Sequence, residues 1–364
     1  MKDYFKSAFS VCFASLVGFS ATSSTIQAYD MSEGQCCPST VYLSSPCYSF
    51  DFDFQALYLQ PSSSSLDYAS EAQPLPAPSP NWRIFDVHPD YHFGFMVGLG
   101  GVCHESSTNY ALTWEHFHSK DHASEHVAIS TNMMGPLFEI GPDAKYYKNA
   151  KGHATFNFDE INLDYGLFVN FGSRLRTNLK MGVSGAQIKQ SVYAEFSNDE
   201  GTITKSVENP ARFLGAGPQL GLDFSYCVFN GFDITGGAAA SILVGSQTNH
   251  TVFKTSSPEV IALGITPPNL QTTKQHRRTQ VVPAFEGKVG LAYNCTLCES
   301  FEVSFEAGYQ AQIYLNAIQS MDLNSEVALN SDIENTIGVY ARTFRRTLSN
   351  FALAGPYLNL NVGF

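Results

Sequence analysis

The sequence offers metal-binding chemistry at one clear place, a histidine-rich stretch. Its histidine and carboxylate side chains are Glu115, His116, His118, Asp121, His122, Glu125 and His126. Residues four apart share a helical face, so His118, His122 and His126 would be placed to ligate zinc if this stretch were helical. The alternative is a solvated polar loop that gains charge near pH ~6.5. We favour the loop, because ligand-type residues also cluster by chance in polar segments, and we predict no metal and no cofactor.

Other catalytic arrangements are not recognisable in the sequence. A hydrolase needs a nucleophile beside a base, and no Ser–His or Cys–His constellation stands out. The glycine-rich runs at 98–101 and 215–217 fall inside alternating segments, where glycine allows close approach of neighbouring strands rather than phosphate binding. We therefore predict that the protein is not an enzyme.

Cysteines provide the remaining reactive groups. The chain has eight, of which Cys12 falls in an N-terminal export signal. The other seven are Cys36, Cys37, Cys47, Cys103, Cys227, Cys295 and Cys298. An oxidising compartment favours disulfides, and an odd number leaves one thiol for a bond to another protein. The alternative is free or internally paired thiols, since a single C-x-x-C at 295–298 is a weak redox or metal signal.

The elements that would position these groups are best seen in the last segment of the sequence. Leu358, Leu360, Val362 and Phe364 alternate with Asn359, Asn361 and Gly363. A strand with period 2 has one apolar and one polar face, which is typical of a barrel strand with lipid outside and water inside.

Nine earlier segments repeat this alternation. They are 50–60, 91–103, 108–117, 158–171, 175–184, 214–226, 232–244, 281–293 and 301–316. Soluble strands average about 5 to 6 residues, whereas a membrane strand needs about 9 to 11. The sequence therefore predicts an all-β fold, an antiparallel transmembrane β-barrel of about ten strands. A range of about 8 to 16 stays open, because 118–156 or 318–348 could hide a further hairpin.

The connections between these segments alternate in length. Short turns fall near 103–108, 172–174, 227–231 and 294–300, and long polar segments cover 61–89, 118–156, 248–279 and 318–348. The remaining connection, at 198–201, is read as a hairpin tip beyond the membrane. Bacterial barrels combine short periplasmic turns with long extracellular loops. The basic end of the last loop, at Arg342, Arg345 and Arg346, is expected to fold inward and constrict the mouth.

The N-terminal region predicts export. Lys2 and Lys6 precede an apolar stretch from Ala8 to Phe19, and small or polar residues lead to Ala28. This apolar core is shorter than the ~20 residues of a membrane anchor, so a cleaved signal peptide is favoured. We predict a signal peptide at 1–28, a cysteine-rich periplasmic leader at 29–49 and the barrel at 50–364, in the bacterial outer membrane.

The polar faces of the predicted strands carry charge. The inward residues are Glu160, Asp164, Arg176, Lys180, Asp223, Asp233, Glu286, Lys288, Glu302 and Glu306. If they line an aqueous lumen, their acidic excess favours small cations. The alternative is a closed barrel in which they pair, for example Lys288 with Glu302 or Glu306. The formal net charge of −12 argues against nucleic acid as a partner.

Several short stretches also resemble one known family. They include 58–63, 80–82, 88–95, 215–218, 307–312 and the ending 353–358. In this order they are similar to the Legionella-type major outer membrane protein family, whose relatives include MOMP-like porins of environmental chlamydiae. The resemblance implies an abundant porin, often cross-linked by disulfides, with surface loops that contact host cells and act as surface antigens.

These observations predict a porin that passes small hydrophilic solutes or ions by diffusion. The alternative is a structural or adhesive barrel whose surface loops bind host molecules. Expected partners are outer-membrane lipid, copies of the same chain in a trimer, disulfide-linked periplasmic or outer-membrane proteins, and host-surface molecules.

Overall fold

The chain forms an all-β structure. The computed structural model describes residues 48–72, 83–103, 105–127, 133–136, 147–199, 201, 204–229, 231–255, 271–274, 276–297, 301–328 and 340–364. Its strands are β1 (Tyr48–Ser63), β2 (Asp67–Ala72), β3 (Arg83–Asp86), β4 (His92–Cys103), β5 (Thr108–His126), β6 (Met133–Pro136), β7 (Asn149–Phe171), β8 (Leu175–Ser197), β9 (Thr204–Phe229), β10 (Phe232–Thr255), β11 (Gln271–Lys274), β12 (Arg278–Leu297), β13 (Phe301–Ala328) and β14 (Tyr340–Gly363). Among the described residues there is no helix with the length and apolarity that a membrane crossing requires.

Ten of these strands close into an antiparallel barrel. Their order around the barrel is β1, β4, β5, β7, β8, β9, β10, β12, β13 and β14, and β14 pairs again with β1. The seam is regular, because Phe50 and Phe364 exchange two backbone hydrogen bonds of 2.9 Å. Closure satisfies the backbone groups of both edges, which a strand in lipid requires. The predicted ten-stranded barrel is confirmed.

Each predicted segment lies in a barrel strand, but most strands extend well beyond it. β5 continues to His126 and β7 begins at Asn149, so much of the predicted loop 118–156 is strand. β13 and β14 likewise extend into the predicted loop 318–348. No additional membrane hairpin is found in the described parts of either region. The predicted signal peptide and almost all of the predicted cysteine-rich leader lie outside the described residues.

The tight turns fall where the sequence places them. Gly172 (φ 69°) and Gly231 (φ 80°) have positive φ values at the short connections after β7 and β9. Glycine adopts this conformation without the steric cost that a Cβ would add. These turns mark the periplasmic end of the barrel, and the long connections mark the extracellular end.

The outer surface of the barrel carries a belt of exposed apolar side chains. Examples are Phe93, Leu220 and Leu358, which are 79%, 65% and 65% exposed. Aromatic contacts recur at the periplasmic rim, where Phe232 lies 4.6 Å from Phe229 and 4.7 Å from Tyr293 between ring centroids. An outward apolar band bounded by aromatic residues is the surface that lipid requires.

A small second sheet, made of β2, β3 and β6, belongs to the extracellular connections. We call it the cap. Its Tyr68 is only 3% exposed and packs against the inner wall of β7 at Gly152, where a Cβ would lie 2.7 Å from the ring. Ser65, just before β2, accepts hydrogen bonds from Gln190 Nε2 at 2.9 Å and from Ser349 Oγ at 3.0 Å. The cap is thereby fastened to β8 and β14.

Candidate functional site in the barrel lumen

All ten charged residues that the sequence predicts to line the lumen occupy inward positions of their strands. This follows from the strand register, because they alternate with the exposed apolar residues of the belt. They lie in the part of the lumen between the short turns and the level of Glu160, which we call the periplasmic half. Glu160 and Asp164 are buried, with exposures of 7% and 8%, and Glu302 is exposed at the rim.

An ion pair and several hydrogen bonds connect the inward charges. Lys180 Nζ lies 2.5 Å from Asp223 Oδ2, and both side chains are partly exposed. Asp233 Oδ2 accepts hydrogen bonds from Ser225 Oγ at 2.8 Å and Asn294 Nδ2 at 3.0 Å. Neither predicted partner of Lys288 is its direct cross-strand neighbour, because Lys288 lies opposite Gln310 and Glu302 lies opposite Thr296. The charges of Asp223 and Glu306 nevertheless act on Lys288, so its predicted pairing with Glu306 stays a prediction.

Glycines make room for these long side chains. A Cβ at Gly237 would lie 2.4 Å from Asp223 Oδ1 and 3.1 Å from Lys288 Cε. At Gly290 it would lie 2.8 Å from the Tyr357 hydroxyl and 2.9 Å from Glu306 Oε1. Inward glycines on the barrel wall therefore leave space for ionisable groups that reach across the lumen.

A narrow polar layer lies at the centre of the barrel. Gln312 Nε2 donates to Glu115 Oε1 at 2.6 Å, and Ser184 Oγ donates to Glu160 Oε1 at 2.9 Å. Gln55 Nε2 donates to Gln310 Oε1 at 2.7 Å. The cavity beside Glu160 and Gln312 measures about 10 Å³, room for one water molecule at most. The sequence prediction grouped Glu115 with the neighbouring histidines. Glu115 instead occupies an inward position of β5, and its side chain lies in this polar layer.

The extracellular half of the lumen, from Phe158 to the cap, is packed with apolar side chains. Phe156, Phe158, Tyr314 and Phe351 form an aromatic cluster with ring centroids 5.4 to 6.2 Å apart, and each is at most 2% exposed. Further fully buried inward side chains are Leu57, Leu59, Phe117, Ile188, Phe213, Leu243, Val282 and Leu353. We call the four-residue group the aromatic cluster; it closes the described lumen.

The sequence did carry a signal for this closure. Phe156 and Phe158 share the parity of Glu160, so the inward face of β7 changes from acidic to aromatic within two residues. The prediction of a polar inner face along whole strands overlooked this change of character.

The hairpin of β13 and β14 also covers the extracellular end. Gln247 on β10 donates to the backbone oxygens of Asn316 (3.2 Å) and Ala317 (2.8 Å). Arg346 Nη2 donates to Gln247 Oε1 at 2.8 Å. Of the basic residues expected to constrict the mouth, Arg346 contacts an inward residue; the side chains of Arg342 and Arg345 lie outside the described residues.

These features can be compared with known proteins. The profile of the family described as Legionella pneumophila major outer membrane protein precursor matches residues 44–364. The chain belongs to the Legionella major outer membrane protein family. Its place is the bacterial outer membrane, and its apolar belt faces lipid there. No curated protein matches the chain.

Solved structures similar to this family member are outer-membrane and transport proteins of low sequence identity. They include the outer membrane protease OmpT from Escherichia coli (11% identity, TM-score 0.39, 87% of this chain and 97% of that chain). The toluene transporter TodX of P. putida has 7% identity and a TM-score of 0.30, with 88% and 90% covered. The translocator domain of the autotransporter NalP from Neisseria meningitidis has 11% identity and a TM-score of 0.26, with 88% and 90% covered.

The histidines of this Legionella-type protein lie on a strand. His116, His118, His122 and His126 all occupy outward positions of β5, and the helical arrangement considered for them is wrong. A spacing of four gives one face on a helix and also on a strand, but on a strand it separates Cα atoms by about 13 Å. His116 Nδ1 instead contacts Asp159 Oδ1 at 2.8 Å, and His118 Nδ1 contacts Asn157 Oδ1 at 2.7 Å.

The described cysteines lie at the periplasmic end. Cys103 ends β4, Cys227 is near the end of β9 and Cys295 is near the end of β12. Cys103 and Cys295 are free thiols. Cys36, Cys37, Cys47 and Cys298 lie outside the described residues. Cross-linking through these seven cysteines stays a prediction.

Proposed function

We propose that the protein is a gated outer-membrane channel for small hydrophilic solutes, with a preference for cations, and that the described structure is its closed state. The proposed function is passive and involves no catalysis. Inward charges in the periplasmic half carry the proposal. A barrel that served only as a scaffold could fill its lumen with apolar side chains. It would then avoid the desolvation cost of placing ionisable groups inside the barrel.

The excess of carboxylates supports the cation preference. The predicted lining contains seven acidic and three basic residues. One of the basic residues, Lys180, is paired with Asp223, and Arg176 stacks on the Phe168 ring with 4.1 Å between the guanidinium carbon and the ring centroid. The remaining negative potential in a narrow, low-dielectric channel attracts cations and repels anions.

A second candidate is a closed structural or adhesive barrel. The aromatic cluster favours it, because Phe156 and Phe351 are fully buried and block the lumen. In a ten-stranded barrel the interior is narrow, and barrels of about eight strands are filled by side chains. The two candidates differ in whether this cluster and the cap ever move aside.

Planar-bilayer recording of the refolded protein separates the candidates. A salt gradient across the bilayer reports ion preference, and heat-modifiable migration on a gel shows that the barrel is folded. Channel openings with a cation-selective reversal potential are expected. A folded, correctly inserted barrel that stays silent over a wide voltage range would overturn the channel and favour the structural candidate, to be followed by binding of the whole protein to host cells.

A further inference from the structure

Basic side chains project outward from one side of the barrel just beyond the apolar belt. Lys189 on β8 and Arg212 on β9 are direct cross-strand partners. The same line of partners continues from Lys189 to Asn157 on β7 and His118 on β5. These four positions alternate with buried inward residues such as Ile188 and Phe213, so they lie on the outer face. We call Lys189 and Arg212 the basic pair.

The basic pair lies where lipid headgroups begin. On β9 the last outward apolar residue of the belt is Leu214, two positions from Arg212. On β8 it is Val183, six positions from Lys189. At a rise of about 3.3 Å per residue, Arg212 lies about 7 Å along β9 from Leu214, which places it in the polar headgroup layer on the extracellular side, and Lys189 lies beside it as its cross-strand partner.

The pair lacks a compensating acid among the described residues. The nearest outward carboxylate in the strand register is that of Asp159. Both of its oxygens already have other partners: His116 Nδ1 lies 2.8 Å from Oδ1, and Gln187 Nε2 donates to Oδ2 at 3.3 Å. Gln187 Oε1 accepts from Arg212 Nη2 at 2.5 Å, which orients the guanidinium without neutralising it. Like charges directly opposite on adjacent strands destabilise a sheet unless an anion lies between them.

The opposite side of the barrel differs. Outward residues just beyond the belt on β1 and β14 are Gln60, Ser62, Leu348 and Asn350, and none is charged. The outward cations nearest the belt are therefore on β8 and β9 and not on β1 and β14, while Lys120, Lys151 and Lys254 on β5, β7 and β10 lie farther from the belt. A local concentration of this kind indicates a site for one headgroup rather than a general attraction to the membrane surface.

We propose that the basic pair binds the phosphate of a lipid headgroup in the outer leaflet, with Asn157 and His118 beside it. The Arg212 guanidinium provides a bidentate donor and Lys189 a point charge, the usual combination for phosphate. Because Asn157 Oδ1 is bonded to His118, the amide N–H groups of Asn157 are the donors available to such a ligand. The acyl chains of the lipid would lie along the apolar belt below.

The test measures lipid bound to the refolded full-length mature protein in mixed micelles by native mass spectrometry, with lipid A as the probe. The variant is K189Q/R212Q. The matched control is K151Q/K254Q, which removes the same charge from outward positions elsewhere on β7 and β10. We expect the first variant to lose about 10- to 30-fold in lipid A affinity and the control to retain wild-type affinity. Lipid without phosphate should bind all three proteins equally.

Two outcomes would overturn the proposal. Equal losses in both double variants would show that net charge alone controls binding. Displacement of lipid A by millimolar inorganic phosphate, with no contribution from the acyl chains, would show an anion site and not a lipid site. The conservative variant Lys189→Arg keeps the charge and should retain binding, and heat-modifiable migration shows that each variant is folded.

Discussion

The two halves of the lumen are enclosed by the same strands but have opposite interiors. On the periplasmic side the inward positions hold charged residues in partial contact with water, such as the Lys180–Asp223 pair. On the extracellular side they hold the aromatic cluster, which is fully buried. The inward face of one strand therefore changes from polar to apolar within two residues, as it does between Glu160 and Phe158 on β7. We call the polar periplasmic half the vestibule and the aromatic cluster the plug.

Removing the plug should have the largest effect on this contrast. We expect the double variant F156A/F351A to conduct continuously, because both rings fill the lumen and leave a cavity when truncated. Stability should fall, since each Phe→Ala change in a core costs about 3–5 kcal/mol. Single-channel recording checks the opening. F93A, whose side chain is 79% exposed on the lipid face, should leave conductance unchanged; equal opening in F93A would contradict the assignment of the plug.

Displacing the cap should have the next largest effect. The Gly152→Val change places a Cβ 2.7 Å from the Tyr68 ring, so the ring and the cap must shift. We expect a higher open fraction in bilayer recordings and faster proteolysis of the cap. Gly287→Val is the matched control, because nothing lies within 4 Å of a Cβ at that position. Unchanged gating in a folded Gly152→Val protein would exclude the cap from closure.

Changing the vestibule should alter selectivity but not closure. The double variant D164N/D233N removes two inward carboxylates, and we expect the ratio of cation to anion permeability to fall by about twofold or more. The reversal potential in a salt gradient measures it. Asp159→Asn removes a carboxylate from the outer face and should have no effect. An identical change in both proteins would mean that the inward charges do not determine selectivity.

The smallest expected effect is a pH response of the cap. Burial, together with the charges of Glu125 and Asp86, raises the pKa of Tyr68 to about 12, compared with about 10 in an unfolded chain. Because the folded pKa is raised, the stabilisation is complete below pH ~10 and is lost as the pH rises through the folded value. Two pH units correspond to a free energy on the order of 3 kcal/mol. The open fraction should increase between about pH 10 and 12.

Tyr68→Phe should remove that pH response without loosening the cap at neutral pH. The Tyr68 hydroxyl is buried without a hydrogen-bond partner among the described residues. Its removal therefore breaks no bond and relieves a desolvated polar group. A Tyr68→Phe protein with the same alkaline opening as wild type would assign the response to another group.

Much of the barrel was predictable because strand alternation is a local property. Glu160 and Asp164 can be assigned to the inward face of β7 from the sequence alone, because each lies one position from an outward apolar residue, Ile161 or Leu163. The plug was missed because the parity of Phe156 was not followed beyond the predicted segment. The cap could not be predicted, since its pairing of Ala69 with Pro136 joins distant residues. His118 and His122 were ambiguous because a spacing of four suits both helix and strand.

The seam between β1 and β14 has a consequence for how the protein matures. Its partners, for example Asp53 and Asn361, are linked by a side-chain hydrogen bond across 308 positions of the sequence. Closing so long a loop is slow, because non-local contacts form only after a large loss of chain entropy. Until β14 arrives, β1 presents an unpaired edge that can template association with other chains. The newly exported polypeptide must therefore be kept apart from its neighbours until its last strand is in place.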